Sequence, residues 1–494
     1  MKRRSGMLLP VSSLPSKYGI GTFSKEAYAF VDLLSEMGQS LWQVLPTGQT
    51  GYGDSPYQSF STFAGNPYFI DLEQLIQEGA LTEEECSRYD WGDRPDRVAY
   101  DKIYQARFKV LRKAYESYPA DARDTVQAFY DANSFWLKNY ALFMALKDHF
   151  GGQCWTEWPE DIRMRREDTV AVWEKELADD MGFYIFLQYL FQKQWQPLKH
   201  YANKKGIKII GDIPIYVSFD SVEVWANPEL FQLDENHLPL AVAGCPPDAF
   251  SADGQLWGNP LYAWDYHRST GYAWWISRMK ALFDMFDIVR IDHFRGFDAY
   301  YSIPYGDKTA ANGHWEEGVG VDLFNHIKAA LGDAEIIAED LGYVTDSVKQ
   351  LLEDTGYPGM KVLQFAFDSR EAGDYMPHGY PRNCVVYTGT HDNNTIVGWY
   401  DQFSEEDKKV AMAYLNNYHT PSEEIQWDYI SCAMRTVADT CIIPVQDYLG
   451  LGSEARINTP SVPSGNWVWR MQKDAFTPEI KEKIHFLTKI CDRC

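Results

Sequence analysis

The chain has 494 residues, of which 45% are hydrophobic and 23% are charged, a balance that is ordinary for a globular protein with a large core. Its formal net charge of −24 argues against binding to nucleic acid or to an anionic membrane surface, and is compatible with a neutral partner. No apolar run approaches the ~20 residues of a membrane-spanning helix, and the start of the chain is not a convincing signal peptide. We therefore expect a cytoplasmic protein.

Aromatic residues make up 15% of the chain, with 17 Trp, 32 Tyr and 26 Phe, which is more than a core alone requires. One explanation is a large, aromatic-rich core. The other is a carbohydrate site, because sugar rings pack their flat C–H faces on aromatic planes while their hydroxyls need polar partners at the edges. The composition leaves both explanations open.

The first fifty residues predict a strand, a helix and a second strand. Residues 5–13 begin apolar and end in a polar turn, and residues 41–46 are again mostly apolar. Between them, residues 23–37 have helical spacing, with Ser24 as the N-cap and Gly38 as the stop. This order predicts a parallel βαβ unit.

Two long segments follow the second strand. Residues 51–68 are rich in Gly, Pro, Ser and aromatic residues, and they carry Tyr57 close to Ser55. Because a loop with so many aromatic side chains would be costly to leave in water, we predict that it contacts a substrate. From about residue 73 to 180, charged residues alternate around apolar stripes, which predicts an inserted helical subdomain.

The third strand, within residues 206–217, passes through Asp212, for which we favour a role in supporting its neighbours. A second Gly/Pro-rich segment at 244–262 carries Asp248 and Trp257. A loop of this length is usually functional or disordered, and its aromatic residues argue against disorder. We therefore expect it to take part in the site.

The strand that begins near residue 287 carries the first candidate catalytic group. Its apolar, β-branched residues predict a buried strand, and Asp292 stands at its carboxyl end. Arg290 lies two residues earlier and therefore on the same face, so its guanidinium should neighbour Asp292 and keep it ionised. Taken alone, this pattern is explained better by a structural ion pair.

Two further strands end in the same way. One is followed by Glu339 and Asp340, and a later one by His391 and Asp392. In a barrel of parallel strands the carboxyl ends open onto one face, so these side chains can converge on one substrate bond. Three such strand ends favour a catalytic site over ordinary helix caps.

The predicted strands begin near residues 5, 41, 207, 287, 335, 362, 384 and 441 and alternate with helices. Eight such strands predict an α/β fold, a closed (β/α)8 TIM barrel. We expect residues 1–494 to form a single catalytic barrel. Its insertions would be the helical subdomain at about 73–180 and a loop subdomain over the active site at about 218–265.

Together these motifs resemble the amylomaltase family of 4-α-glucanotransferases, the disproportionating enzymes of the α-amylase clan. The resemblance covers essentially the whole chain and depends on the motifs at 55–66, 211–217, 246–260, 289–296, 338–342, 390–394 and 449–456. The family fold is a catalytic barrel with inserted subdomains and no C-terminal β-sandwich, which fits the lack of an all-β tail in this sequence.

The resemblance implies a role for each site residue. Asp292 would be the nucleophile, Glu339 the general acid/base, and Asp392 the third carboxylate, which holds sugar hydroxyls. It places the remaining candidates in supporting or substrate-binding positions: Arg290, His391, Tyr57, Ser55, Asp248, Trp257 and Asp212. No metal or other cofactor is expected.

The implied reaction is the transfer of α-1,4-glucan segments from a maltooligosaccharide to the 4-hydroxyl of another glucan or of glucose, with retention. A hydrolase of the same clan, such as an α-glucosidase, is the alternative. A non-catalytic glucan-binding barrel is a third possibility. The acidic pair counts against it, because binding alone needs no acid/base pair.

Overall fold

The computed structural model describes residues 3–51, 53–119, 123–247, 253–342, 344–367, 375–462 and 464–494. Its strands are β1 (Arg4–Leu8), β2 (Leu41–Gln43), β3 (Lys208–Pro214), β4 (Ala241–Cys245), β5 (Gln255–Pro260), β6 (Ile288–Asp292), β7 (Ala299–Pro304), β8 (His314–Glu317), β9 (Ile336–Ala338), β10 (Gly359–Val362), β11 (Cys384–Tyr387) and β12 (Thr440–Pro444).

Its α-helices are α1 (Lys25–Glu36), α2 (Leu72–Gln77), α3 (Glu83–Ser87), α4 (Tyr100–Ser117), α5 (Arg123–His149), α6 (Glu160–Arg163), α7 (Glu167–Glu176), α8 (Ala178–Lys204), α9 (Val222–Ala226), α10 (Trp264–Ser269), α11 (Ala273–Met285), α12 (Val321–Leu331), α13 (Asp346–Thr355), α14 (Ile396–Asp401), α15 (Glu405–Leu415), α16 (Gln426–Arg435), α17 (Val445–Tyr448) and α18 (Pro478–Ile490). Among the described residues, no helix is long and apolar enough to cross a membrane.

Eight parallel strands form a barrel in the order β10-β11-β12-β1-β2-β3-β6-β9. The strands at the two ends of this order also meet, since the Ala338 amide at the end of β9 donates to the Pro358 carbonyl, just before β10, over 3.0 Å. The predicted (β/α)8 barrel is therefore confirmed. In the described residues after Pro444 there is no further strand, so no C-terminal β-sandwich is seen there.

Two of the predicted strands end earlier than expected. The first was predicted to run through residues 5–13, but β1 ends at Leu8, ahead of Pro10, which has no amide hydrogen for a ladder. The sixth was predicted to begin near residue 362, whereas β10 ends there and Leu363–Ala366 form a 3₁₀ turn. A short apolar run does not distinguish a strand from a buried helical turn.

Buried apolar residues of the barrel strands and of the surrounding helices form one continuous core. Ser24 caps α1 as predicted, because its side chain accepts a hydrogen bond from the Glu26 amide. In β3, a Cβ on Gly211 would collide with the ring of Phe286, the residue after α11. Glycine at this position therefore lets the end of that helix pack directly on the strand that carries Asp212.

Two groups of elements lie outside the barrel. Helices α2 to α8 occupy the chain between β2 and β3, and the two longest of them, α5 and α8, pack against each other. A second, antiparallel sheet has the order β5-β4-β7-β8. The prediction that residues 244–262 form one long loop is wrong for the residues of β4 and β5. The glycines and prolines of this segment are typical of loops, and the sequence pattern therefore did not indicate these two short strands.

Candidate active site

The barrel brings the predicted acidic residues to one end. Asp292 is the last residue of β6, and Glu339 follows β9, the strand paired with β6. The Glu339 amide continues this pairing by donating to the Ile291 carbonyl over 3.0 Å. Asp392 lies in the loop after β11, at the same end of the barrel. Three strand ends therefore supply carboxylates to one face.

Arg290 bridges two carboxylates beneath this face. Its Nη1 donates to both oxygens of Asp212, over 2.7 and 2.8 Å, and its Nη2 donates to Asp292 Oδ1 over 2.9 Å. The predicted contact between Arg290 and Asp292 is thus confirmed. The Asp212 side chain is 0% exposed and that of Asp292 is 32% exposed. Asp212 is therefore placed to support its neighbours, whereas Asp292 faces the open site.

Asp292 and Glu339 differ in acidity because their surroundings differ. Burial raises the pKa of Asp292, but the Arg290 charge opposes this rise. Burial and the Asp292 charge raise the pKa of Glu339 to about 8, against the effect of its hydrogen bonds from the Leu341 and His293 amides, both 2.7 Å. At neutral pH Glu339 therefore holds a proton, whereas the Arg290 guanidinium favours the ionised form of Asp292.

Tyr57 joins the first loop to the site. Its hydroxyl donates to Asp212 Oδ2 over 2.9 Å, and its ring stacks on His391 with centroids 5.2 Å apart and planes 17° apart. Trp467 lies beside both rings, with centroid distances of 5.9 Å to each. The Oγ of Ser55 accepts from the Tyr57 amide over 3.3 Å, so Ser55 shapes the turn that presents Tyr57.

The loop after β11 is fixed by a segment near the end of the chain. The Asn458 side chain donates to Asp392 Oδ1 over 2.6 Å, and Arg456 Nη2 donates to the Asp392 carbonyl over 2.6 Å. His391 Nε2 lies 3.4 Å from Asp392 Oδ1. Asp392 is therefore held from both sides while its carboxylate stays partly exposed, at 45%.

Trp257 packs against His293, the residue whose amide donates to Glu339. Its ring meets the His293 ring edge-on, with centroids 4.8 Å apart and planes at 89°. His293 has a left-handed backbone, with φ of 54°, and this conformation accompanies the hydrogen bond from its amide to Glu339. Burial lowers the pKa of the His293 imidazole to about 3, so the ring is neutral. Asp248, the other candidate of this segment, lies outside the described residues.

Several residues at the site were not predicted as such. Asn458 and Trp467 come from a segment without strand or helix, and His293 was passed over between Asp292 and Gly296. Arg456 belongs to one of the motifs behind the resemblance, and this was the available signal for the terminal segment. Within the described ranges, no group of three or more His, Cys, Asp or Glu side chains has the arrangement of a metal site.

The fold and the site together define a class of protein. A closed (β/α)8 barrel with two carboxyls at neighbouring strand ends, one beside a buried guanidinium and the other with a raised pKa, is an enzyme scaffold suited to glycosidic bonds. Comparison with known proteins then gives the family. The sequence model described as 4-alpha-glucanotransferase matches residues 9–476, and the chain belongs to this family.

Relatives match over the full chain. A 4-alpha-glucanotransferase of Clostridium butyricum is 50% identical over 486 residues, which are 98% of this chain and 99% of that protein. One of Thermus thermophilus is 45% identical over 502 residues, covering 100% and 99%. A solved amylomaltase from Streptococcus agalactiae, in complex with acarbose, is 43% identical with a TM-score of 0.96, covering 100% of both chains. The resemblance inferred from the motifs is thus confirmed.

A more distant structure supports the fold alone. The amylomaltase from Corynebacterium glutamicum is 17% identical and has a TM-score of 0.77. The match covers 99% of this chain and 75% of that one. The barrel and its surroundings are therefore shared well beyond the range of recognisable sequence similarity.

Proposed function

We propose that this protein transfers segments of α-1,4-glucan from a donor maltooligosaccharide to the 4-hydroxyl of an acceptor glucan or glucose. The observation that carries the proposal is the pair of carboxyls at the ends of two paired strands: Asp292 accepts from a buried guanidinium, and Glu339, whose pKa is raised to about 8, follows the neighbouring strand. A retaining double displacement needs this combination of one acid and one nucleophile.

The first half of the reaction breaks the donor. Glu339 gives its proton to the glycosidic oxygen, and the leaving glucan departs with a free 4-hydroxyl. An oxygen of Asp292 attacks the anomeric carbon from the opposite side and forms a covalent glycosyl ester. Glu339 is now ionised and Asp292 is neutralised by the bond, so the charge on this pair is conserved.

The second half rebuilds a glycosidic bond. The ionised Glu339 takes the proton from the 4-hydroxyl of the acceptor, and this oxygen attacks the anomeric carbon as the bond to Asp292 breaks. Two inversions give net retention. Both carboxyls return to their starting protonation, and Arg290 again pairs with an ionised Asp292.

Asp392, in this proposal, binds sugar hydroxyls next to the bond that is cleaved. Its hydrogen bond from Asn458 and the anchoring of its backbone by Arg456 fix the carboxylate without covering it. The stacked rings of Tyr57 and His391 border the same space and offer an apolar surface to a sugar ring. These contacts would favour the distorted ring of the transition state.

Transfer requires that a sugar hydroxyl, and not water, reaches the covalent intermediate. We assign acceptor binding to the side of Glu339 on which Trp257 lies, with the segment at about 218–265 over the site and the helical segment at about 73–180 beside it. Acarbose in the Streptococcus agalactiae structure is a compound of the expected carbohydrate class, and supports a glucan-binding site in this chain as well.

The nucleophile is tested by replacing Asp292 with Asn. Turnover of maltotriose should fall by about 10³-fold or more, because no covalent intermediate forms. Asp287→Asn, just before the same strand but at the opposite end of the barrel, is the matched control and should retain most of the activity. Substantial turnover by the Asp292 variant would remove this residue from the role.

The kind of reaction is tested by the products from maltotriose. A transferase should form maltopentaose and longer glucans together with glucose, and the new linkages should have the α configuration. A mixture of only maltose and glucose would show a hydrolase. Unchanged maltotriose, with binding still measurable, would indicate a glucan-binding barrel without catalysis.

A further inference from the structure

A buried acidic residue outside the catalytic pair lies under the loop that presents His391 and Asp392. Asp447 belongs to α17, directly after β12, and is 1% exposed. Burial raises its pKa to about 6, and no basic side chain of the described residues is among the groups that shift it. A carboxyl group buried in this way needs hydrogen bonds to offset its lost hydration.

Asp447 finds these hydrogen bonds at the two ends of one loop. The Thr388 hydroxyl, directly after β11, donates to Asp447 Oδ2 over 2.6 Å. The Ile396 amide, at the first residue of α14, donates to Oδ1 over 2.8 Å. One carboxylate therefore ties together both ends of the segment 388–396.

The middle of the same segment is anchored to other residues. Its centre is His391 and Asp392, whose backbone carbonyls accept from the Asn458 amide over 3.1 Å and from Arg456 Nη2 over 2.6 Å. The loop is thus attached at its middle to the terminal segment and at both ends to Asp447. Gln364 also holds this segment, since its amide donates to the Thr388 carbonyl over 3.2 Å and its side chain to the Asn394 carbonyl over 2.7 Å, but Asp447 is the group that bonds to both Thr388 and Ile396 with one carboxylate.

We infer that Asp447 is a positioning residue, which acts through the loop 388–396 to place Asp392 and His391 against the sugar. It touches no substrate itself. The inference rests on the proposed function, in which Asp392 binds hydroxyls most strongly in the transition state. A displacement of such a group by even about 1 Å reduces turnover by roughly 10²-fold in well-placed sites, so small movements of the loop matter.

The variants separate the two hydrogen bonds from the negative charge. Asp447→Ala removes both bonds, and kcat on maltotriose should fall by about 10- to 100-fold with little change in KM. Asp447→Asn can accept from Ile396 and donate to Thr388, so its kcat should stay within about threefold of the unsubstituted protein. Thr388→Val removes one bond only and should give an intermediate loss.

The matched control is a carboxylate with the same kind of bonds at the other end of the barrel. Asp287 Oδ2 accepts from the Ile209 amide and from the Asn203 side chain, both over 2.8 Å. Asp287→Ala should lower the thermal midpoint but leave kcat within about twofold, because this end of a barrel contributes to stability and not to catalysis. An equal loss of kcat in both Ala variants would reduce Asp447 to a structural residue.

A double-substitution cycle links the effect to Asp392. If Asp447 acts through that carboxylate, Asp447→Ala should lower kcat no further in an Asp392→Asn background. The inference would be overturned if Asp447→Ala lowered kcat in the Asp392→Asn background as much as it does in the unsubstituted protein. It would also be overturned if Asp447→Asn lowered kcat as much as Asp447→Ala. If Asp447→Ala does not fold, Thr388→Val decides, and an unchanged kcat in that variant also overturns it. An Asp392→Asn variant with normal turnover would instead contradict the proposed function.

Discussion

Removing the guanidinium of Arg290 is the most direct test of the charge arrangement. Arg290→Met keeps most of the side-chain volume but deletes three hydrogen bonds of 2.7 to 2.9 Å to two carboxylates. The Asp212 side chain, 0% exposed, is left with the Tyr57 hydroxyl as its remaining partner among these residues. Breaking a buried pair in this way costs about 3–5 kcal/mol, and the free energy of unfolding should fall by this amount.

The same substitution changes the acidity of Asp292, the proposed nucleophile. Burial raises the pKa of Asp292 and the Arg290 charge opposes that rise, so without the charge the pKa increases. Since attack on the anomeric carbon needs the ionised form, the acidic limb of the pH profile of kcat/KM should move to higher pH. Rates on maltotriose between pH 4 and 9 would measure the shift.

Two further variants separate charge from packing. In the double variant Arg290→Met/Asp212→Asn the unpaired charge at Asp212 is removed. The free energy of unfolding should then be about 1–3 kcal/mol higher than in Arg290→Met alone. Arg107 is equally buried but donates to the carbonyls of Tyr68 and Ile70, so Arg107→Met should destabilise without moving the acidic limb. A loss under about 1 kcal/mol in Arg290→Met, or strict additivity in the double variant, would refute the reasoning.

Three other predictions follow from the same contacts. The kcat/KM on maltotriose should decline above about pH 8, where Glu339 loses its proton. NMR titration of a labelled carboxyl should give a lower pKa for Glu339 in Asp292→Asn than in the unsubstituted protein. An unchanged pKa would contradict the effect of the Asp292 charge on Glu339. Burial raises the pKa of Glu223 from 4.5 to about 7. The protonated Glu223 therefore contributes its full stabilisation of the fold below pH 4.5, and this contribution is lost as the pH rises through 7. The free energy of unfolding in urea should therefore rise for Glu223→Gln, relative to the unsubstituted protein, by about 2–3 kcal/mol between pH 5 and pH 8. If the two proteins gave parallel curves of stability against pH, Glu223 would not titrate in this range. Tyr57→Phe keeps the stacked ring but loses the 2.9 Å hydrogen bond to Asp212, and kcat should fall about 10-fold or more. An unchanged kcat would show that the hydroxyl is dispensable.

The barrel could be predicted because most of its strands are buried on both faces. Such strands appear in the sequence as short apolar runs, and in a (β/α)8 barrel their spatial order follows the order of the chain. The ends of these runs were equally informative. A carboxylate placed directly after a buried run, as at Asp292 and Glu339, lies at the open face whenever the strands are parallel.

The parts that could not be predicted depend on contacts between distant residues. Trp467 has a left-handed backbone, with φ of 64°, in a segment without regular structure, and only the folded chain places it beside Tyr57 and His391. The antiparallel sheet was missed for a related reason. Leu256 on β5 and Trp315 on β8 are exposed by about two fifths, so these strands lack the continuous apolar pattern that marks the barrel.

The proposed division of work between Asp292 and Glu339 follows from the position of one cation. Burial raises the pKa of both groups, so desolvation alone would make both of them acids. Arg290 contacts Asp292 directly, whereas in the described part of the chain the hydrogen-bond donors to the Glu339 carboxyl are two backbone amides. The Asp292 charge that the guanidinium stabilises then raises the pKa of Glu339. The Arg290 charge thus lowers the pKa of Asp292 directly, and the Asp292 charge raises that of Glu339, so removal of this arginine should alter both proposed catalytic groups together.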